Sequence, residues 1–461
     1  MRIVYLEAYL LRVPVYFKLA WAWAPITARD YVIVKAVTDC GVSGVGEGCL
    51  YLDRFLEVMR LSPSIFREIK RREFADINDA TSFVERVSLG IRGVNSALDT
   101  LMYDIFSKVE GKPVYDMLGG KKRDRVKFAE QVFVDDPEKM VKEAHKIIQD
   151  GTQHLKIKIG TTPEQDLKLI RDIRFLVGDD VTIRVDANQY YPTHVAKKLF
   201  KEMARYDLEL IEEPCRFKNF NELRALKKEV EVPIMLDESI LTINDLKRAI
   251  SNDALDALNI KVTSKYGGLS GSKKISQFAE RNGVTCVVGC NEELEIGTFV
   301  DVHFAASLNN LPYPCEGIGP KRLKLYFADK KVDIEDSAFL VPKSKGLGIS
   351  FSSEQLVNIA TKGNCLIIPL TGEAGKMVAD RELKSTLLSS IASFPLLKYK
   401  KVARLANFSL QQSWHFYVLW IKRLRALLIQ NINCPSNSKY YSGGMNGKGT
   451  HRPVSRDEFS C

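Results

Sequence analysis

The sequence predicts an α/β protein: a parallel (β/α) barrel joined to a separate α+β domain. Two observations predict the barrel. After about residue 122, short apolar runs alternate with amphipathic helical stretches, the pattern of a parallel sheet. Eight such runs fall within roughly 190 residues, which fits a closed barrel. A third observation sets the first part of the chain aside. Residues 1–50 alternate and turn like an antiparallel meander, as in YVIVKAVTDCGVSGVGEG, and residues 52–118 read as helices. A doubly wound open sheet is the alternative, but no Gly-rich turn follows the first strand.

The strand candidates, in order, are VKFAEQVFV (126–134), HLKIKIG (154–160), VTIRVDAN (181–188), LELIEEP (208–214) and VPIMLDES (232–239). LDALNIKV (255–262), VTCVVGC (284–290) and YPCEG (313–317) complete the eight. Between them lie helical patterns such as PEQDLKLIRDIRFLV and HVAKKLFKEMARY. FADKKVDIEDSAFLVPKSKGLGIS (327–350) reads again as short strands and turns, and is expected to pack back on the first domain. The expected division is a capping domain over 1–120, the barrel over 121–325, a return to the cap over 326–361 and an extension over 362–461.

Composition is that of a globular protein, with 461 residues, 45% hydrophobic and 27% charged. Arg2, Glu7, Arg12 and Lys18 break the N-terminal stretch before a signal-peptide core can form. No run reaches the roughly 18 uncharged apolar residues of a membrane span. Nine cysteines without paired spacing, Cys286 and Cys290 among them, read as reduced thiols rather than a zinc site, and a cytoplasmic location is expected. The net charge of +10 is uneven. Residues 365–461 hold 14 Lys and Arg against 5 Asp and Glu, and residues 1–364 hold 53 against 52. The body is therefore neutral, with no nucleic-acid or membrane partner implied, and the extension is basic.

An ionisable side chain ends each strand. Lys158, Asp186, Glu212, Asp237 and Lys261 follow one another at steps of 28, 26, 25 and 24 residues, and Glu293 and Glu316 come after. One βα unit takes about that length, so these groups recur at the same end of successive strands and converge at the mouth of a barrel. Singly, Asp186 or Asp237 reads equally as a surface charge at a helix start, and LKIKIG as an edge strand with a solvated face. As a register-matched set they read as a site. Three carboxylates in a half-buried mouth repel, and a hard divalent cation resolves the repulsion. Mg²⁺ takes oxygen ligands and leaves places for substrate oxygens, and Asp186, Glu212 and Asp237 are the natural triad. Lys158 and Lys261 flank it from opposite sides, a geometry suited to moving a proton on either face of a carbon.

LKIKIG, RVDAN, LIEEP, LDES and NIKVTSKYGGLSGS, in that order and spacing, resemble the enolase superfamily, specifically its muconate-lactonizing-enzyme subgroup. ALDTLMYDIFSKVEGKPVYDMLGG (97–120) is similar to the family's link from cap to barrel, and KGLGISFSSEQL to the end of its cap. The resemblance covers residues 1–358. It implies a modified TIM barrel of (β/α)7β form. It also implies removal of the proton α to a carboxylate through an enediolate stabilised by Mg²⁺, with Mn²⁺ as a substitute. By the same resemblance, Asp186, Glu212 and Asp237 are the metal ligands, and Lys158 and Lys261 are the acid/base pair. Lys156 is expected to favour the neutral amine of Lys158 by like-charge repulsion. None of the six histidines stands in a His-x-Asp pair, which sets the chain apart from mandelate-racemase-like members.

The implied activity is a racemase, epimerase or cycloisomerase of a small carboxylic acid, in a homo-oligomer. A lyase of the same architecture remains open, as does a barrel scaffold whose basic extension binds RNA or lipid. Asn188, Glu293 and Glu316 are the expected substrate contacts, with Trp21 and Trp23 from FKLAWAWAPITARD, a stretch resembling the family's substrate-selecting lid. Two departures stand out. VVGCNEELEIG carries Asn291 and Leu294 where the family has Met and Ser. CEGIGP offers Glu316 followed by Ile318 where dipeptide epimerases carry Asp-x-Asp, which counts against that activity. In the extension, residues 413–430 read as an amphipathic helix and the end of the chain as disordered, and TGEAGKM (371–377) only mimics a phosphate loop.

Overall fold

A computed structural model of the chain describes residues 1–20, 25–50, 55–317, 319–323, 325–361, 365–371 and 373. Its first sheet is antiparallel. Strands β1 (Ile3–Ala20), β2 (Pro25–Thr38) and β3 (Ser43–Cys49) form the expected meander. Alternation sorts β3 into two faces. Gly44, Gly46 and Gly48 face the helix Arg92–Val109. A Cβ on Gly46 would stand 2.0 Å from the Ala97 carbonyl oxygen, and one on Gly48 would stand 1.8 Å from that of Gly93. No other residue fits there, and the close approach sends Glu47 to the opposite face, toward the barrel.

The second sheet is the parallel barrel. It comprises β5 (Glu130–Val132), β6 (His154–Lys158), β7 (Thr182–Asp186), β8 (Leu208–Glu212), β9 (Ile234–Leu236), β10 (Ala257–Ile260) and β11 (Thr285–Val288), hydrogen-bonded in that order. The run expected to be one strand over 126–134 is divided: β4 (Arg125–Lys127) precedes β5 and joins a small antiparallel sheet with β12 (Ile334–Glu335) and β13 (Ala338–Leu340). The eighth run is shorter than expected. Cys315 N donates to Lys127 O at 2.7 Å, Ala129 N to Cys315 O at 2.8 Å and Glu316 N to Val288 O at 2.8 Å. Two residues thus link the last strand to the first and close the circle.

β6 lies between β5 and β7 with all five residues buried, so LKIKIG is not an edge strand with a solvated face. The side chains of Leu210, Met235, Ala257 and Val287 form a small apolar cluster of their own, apart from the main core and covered by Tyr313. By strand alternation they share a face with Glu212, Asp237 and Asn259, so a greasy layer lies beneath the charged one.

The cap is tied to the barrel through helix N-termini. The helices Leu269–Arg281 and Glu295–Ser307 have no side-chain cap of their own. Asp99, from the cap helix, accepts from Ser270 N at 3.0 Å. Glu47 accepts from Leu294 N at 2.7 Å and Gly297 N at 2.8 Å. Each carboxylate satisfies orphan N–H groups and faces the positive end of a helix dipole. Gly267 and Gly268 pass beneath Asn95 and Asp99 with φ of +77° and +100°, a conformation and a closeness that require glycine.

The segment after the barrel contacts the cap: Leu347 N donates to Asp104 Oδ1 at 2.8 Å and Lys35 Nζ to Phe351 O at 2.8 Å. The cap sheet also runs past residue 361, where the extension was expected to begin. β14 (Leu366–Pro369) pairs antiparallel with β1 through Tyr9–Arg12, because LIIP is apolar enough to be buried on that edge. The remainder of the extension, from residue 374, lies outside the described residues. Among the described residues no helix is long and apolar enough to cross a membrane.

Burial pushes the Asp99 carboxyl up to about 7, against the opposing pull of its N–H donors. A raised carboxyl stabilises the fold fully below its ordinary value of 3.8, and that contribution is lost as pH rises through 7. Asp99→Asn keeps an acceptor for Ser270 and removes the titration. Its melting temperature should fall less steeply than the wild type's between pH 4 and 7. An unchanged slope would show that Asp99 does not carry this dependence.

Candidate active site

The strand-end residues meet at one end of the barrel because the register is nearly uniform. Lys158 is level with Asp186, and Asp186 with Glu212. Glu212 is level with Met235, so Asp237 lies two residues beyond it on the next strand. Asp186, Glu212 and Asp237 are all buried, and two sets of ammonium groups meet them.

The first set is held by β6. Lys156 Nζ lies 3.0 Å from Asp186 Oδ2, 2.5 Å from Glu212 Oε2 and 2.7 Å from Glu316 Oε1, with 2% of its side chain exposed. Burial alone would lower its pKa, but the three carboxylates outweigh it and hold the ammonium form well above the usual lysine range. Lys158 Nζ donates to the same Asp186 Oδ2 at 2.5 Å and to Asn188 Oδ1 at 3.1 Å. The two lysines therefore share one carboxylate oxygen. Asn188 N in turn donates to Asp186 Oδ1 at 2.9 Å.

The second set surrounds Asp237. Lys261 Nζ lies 2.6 Å from its Oδ2 and 3.3 Å from Asn291 Oδ1. Lys265, which the sequence reading did not single out, donates to Asp237 Oδ1 at 3.0 Å and to the carbonyls of Asp237 and Asn259 at 2.7 and 2.9 Å. Burial raises the carboxyls of Asp186 and Asp237, and the adjacent ammonium groups overcome it and hold both below the usual range. Glu212 is different. Burial and the neighbouring Asp186 raise it to about 8, and Lys156 offsets this only in part.

Glu213 was also missed. It accepts from Asp237 N at 2.7 Å, Ser239 N at 2.8 Å and Ser239 Oγ at 2.6 Å, and so fixes the end of β9 that carries Asp237. Its φ of 41° turns it away from the alternation that Glu212 obeys. The doubled glutamate of LIEEP was its only signal.

Lys156, Lys158 and Lys261 line one cavity with the amides of Gln131, Asn188 and Asn291. Glu316 lines it too, accepting from Gln131 Nε2 at 3.3 Å as well as from Lys156. Glu293, an expected substrate contact, is not among the lining residues: its Oε1 is taken by Thr263 Oγ1 at 2.9 Å and Asn291 N at 2.8 Å. Its neighbour Glu292 lines the cavity in its place, paired with Arg29 of the cap. The strand ends at Val288, and the turn at Glu292, with φ of 54°, reverses which glutamate faces inward. Trp21 and Trp23 lie outside the described residues.

A parallel barrel with its charged strand ends gathered under an α+β cap is the architecture of the enolase superfamily. A sequence model of the mandelate racemase / muconate lactonizing enzyme N-terminal domain matches residues 7–119, and one of the enolase C-terminal domain-like fold matches residues 139–356. The L-Ala-D/L-Glu epimerase of Clostridium acetobutylicum is 30% identical over 304 residues, covering 64% of this chain and 84% of that one. The chloromuconate cycloisomerase CbnB of Cupriavidus necator is 26% identical over 374 residues, covering 77% and 98%. The crystal structure of a dipeptide epimerase from Enterococcus faecalis V583, complexed with Mg and the dipeptide L-Leu-L-Tyr, superposes with a TM-score of 0.70 at 26% identity, covering 76% of this chain and 100% of that one. The chain belongs to the mandelate racemase / muconate lactonizing enzyme family, and it is an isomerase of the enolase superfamily.

Membership implies a divalent metal. The donor set fits one in kind: three buried carboxylates on consecutive strands, hard oxygen donors, with Glu212 short of compensating charge. Among the described residues, no three His, Cys, Asp or Glu side chains stand in a ligating arrangement, since Asp186 and Glu212 point to Lys156, and Asp237 to Lys261 and Lys265.

Lys156→Met would leave Asp186, Glu212 and Glu316 without their shared counter-charge. Removing one partner of a buried ion pair costs about 3–5 kcal/mol, and urea denaturation without added divalent cation should show a loss of that order. A loss under about 1 kcal/mol, the size of an exposed pair, would mean that the cluster is not held by Lys156.

Proposed function

We propose that this isomerase removes and returns the proton α to the carboxylate of a small acid, as a racemase or epimerase or as a cycloisomerase. Lys158 and Lys261 are the proton carriers. The observation that carries the reading is their placement across one cavity. Lys158 ends β6 and Lys261 follows β10, four strands apart in a circle that a short eighth segment closes, so their ammonium groups approach from opposite sides. Each has the same kind of cradle, a carboxylate and an amide: Asp186 and Asn188 for Lys158, Asp237 and Asn291 for Lys261.

In this reading one lysine, as the neutral amine, takes the α-proton from one face, and the other, as ammonium, delivers a proton to the opposite face. Asn188 and Asn291 orient the two nitrogens. Glu213 sets Asp237 in place from behind. Mg²⁺, or Mn²⁺ in its stead, held by Asp186, Glu212 and Asp237, would supply positive charge beside the substrate carboxylate as the α-proton leaves.

Lys158→Ala and Lys261→Ala should each lower racemisation by about 10²–10⁴-fold, the usual contribution of a general base. In D₂O, each variant should still exchange the α-proton of the enantiomer whose base remains, read by NMR. Loss of exchange in only one variant would select a one-way cycloisomerase or lyase. Full activity in both would remove the strand ends from the chemistry.

Dialysis against EDTA should stop the exchange, and added Mg²⁺ should restore it. Asp237→Asn should raise the Mg²⁺ concentration needed. Exchange that persists in EDTA would overturn the metal part of the proposal.

A further inference from the structure

The cavity contains an ion pair that the proton transfer does not use. Arg29 comes from β2 in the cap, Glu292 comes from the loop after β11, and both line the cavity beside Lys261 and Asn291. Arg29 Nε donates to Glu292 Oε2 at 2.8 Å, and its Nη2 donates to the same oxygen. The side chains are 7% and 4% exposed. Tyr31 lies two residues along β2 and so on the same face; its hydroxyl donates to the Glu292 carbonyl at 2.6 Å and fixes the backbone that carries the carboxylate. Glu292 is held in the left-handed region, at φ 54°, which costs a non-glycine residue free energy.

A buried ion pair is an expensive wall, since an apolar pair of equal volume is often as stable or more so. What such a wall provides is selection. As a unit the pair is neutral, and it lines the cavity with donors and an acceptor. A second carboxylate on a ligand would face Glu292. An ammonium would face Arg29. An aliphatic group would desolvate the pair and offer no hydrogen bond in return. A neutral dipole such as an amide satisfies both members without separating them.

We infer that the Arg29–Glu292 pair determines substrate specificity, selecting carboxylates whose group remote from the α-carbon is a neutral hydrogen-bonding dipole over those that carry a second carboxylate or an ammonium there. The inference rests on the proposed α-proton chemistry at this site and deepens it. It makes the cap a participant in recognition through a described strand, independently of the tryptophans of the preceding loop.

Three ligands share the reacting end and a similar chain length and differ in the remote group: N-succinamoylalanine (a neutral primary amide), N-succinylalanine (negative) and N-(4-aminobutanoyl)alanine (positive). Their affinities for the full chain in Mg²⁺ are measured by titration calorimetry, and their α-proton exchange in D₂O by NMR. The wild type should bind N-succinamoylalanine about tenfold or more tightly than either charged ligand, the scale of one partly screened charge contact. Glu292→Gln makes the wall one unit more positive and should move the preference toward N-succinylalanine by a similar factor. Arg29→Met makes it one unit more negative and should move the preference toward N-(4-aminobutanoyl)alanine. Arg29→Lys keeps the charge and should keep the wild-type order.

Variants that alter all three affinities equally, or not at all, would overturn the inference. So would a wild type that prefers a charged ligand, a result that needs no variant to fold. The predicted order of affinities without any exchange would count against the α-proton chemistry and support the wall. Exchange without the predicted order would do the reverse.

Discussion

Burying five carboxylates at one end of a barrel is the constraint on which the rest of this structure depends. Asp186, Glu212, Asp237, Glu292 and Glu316 are all nearly inaccessible to solvent. Unpaired, they would protonate or drive the barrel open. The chain answers with Lys156, Lys158, Lys261, Lys265 and Arg29, each within ion-pair distance of at least one of them. This requirement explains why charged residues stand inside otherwise apolar strands. It also explains why the interior face of β6 reads Lys–x–Lys: one lysine reaches three acids, on the next two strands and on the closing segment, and the other reaches the acid level with it.

The second constraint is that the cap must stay in register with these charges. Packing of glycines on a helix turns Glu47 toward the barrel, and Glu47 and Asp99 cap two barrel helices that lack caps of their own. Those two helices begin directly after the loops that carry Lys261, Lys265 and Glu292. The cap thus holds the loop ends at their helix starts, and Arg29 and Tyr31 reach the same turn from β2. Orientation of the site and attachment of the cap are one set of contacts.

Much of this was legible in the sequence. Parallel strands buried on both faces read as short apolar runs, and the near-constant spacing of their terminal charges located the mouth and its residues. The illegible parts have physical reasons. The closing segment is only two residues, too short for any period. β14 follows a break in the pattern and is held by pairing with β1, more than 350 residues earlier in the chain. Glu293 was preferred to Glu292, and Glu213 was overlooked, because positive φ at two turns reverses the inward face and no local signal marks that. The Arg29–Glu292 pair joins residues 263 positions apart.

The two lysine cradles show what the charge balance achieves beyond stability. Asn188 lies two residues after Asp186, so one short turn supplies both partners of Lys158, and Asn188 N donates back to Asp186. Lys261 draws its partners from two different strand ends, Asp237 before it and Asn291 after it. Asp237 is further restrained by Lys265 from below and Glu213 from behind, and Asn291 Nδ2 by the Ser264 hydroxyl at 2.6 Å. A cradle assembled from three loops needs more fixing than one built from a single turn, and the supernumerary buried residues, Glu213, Ser264 and Lys265, cluster on that side. The unequal scaffolding ends in the same pair of partners for each nitrogen, one carboxylate and one side-chain amide.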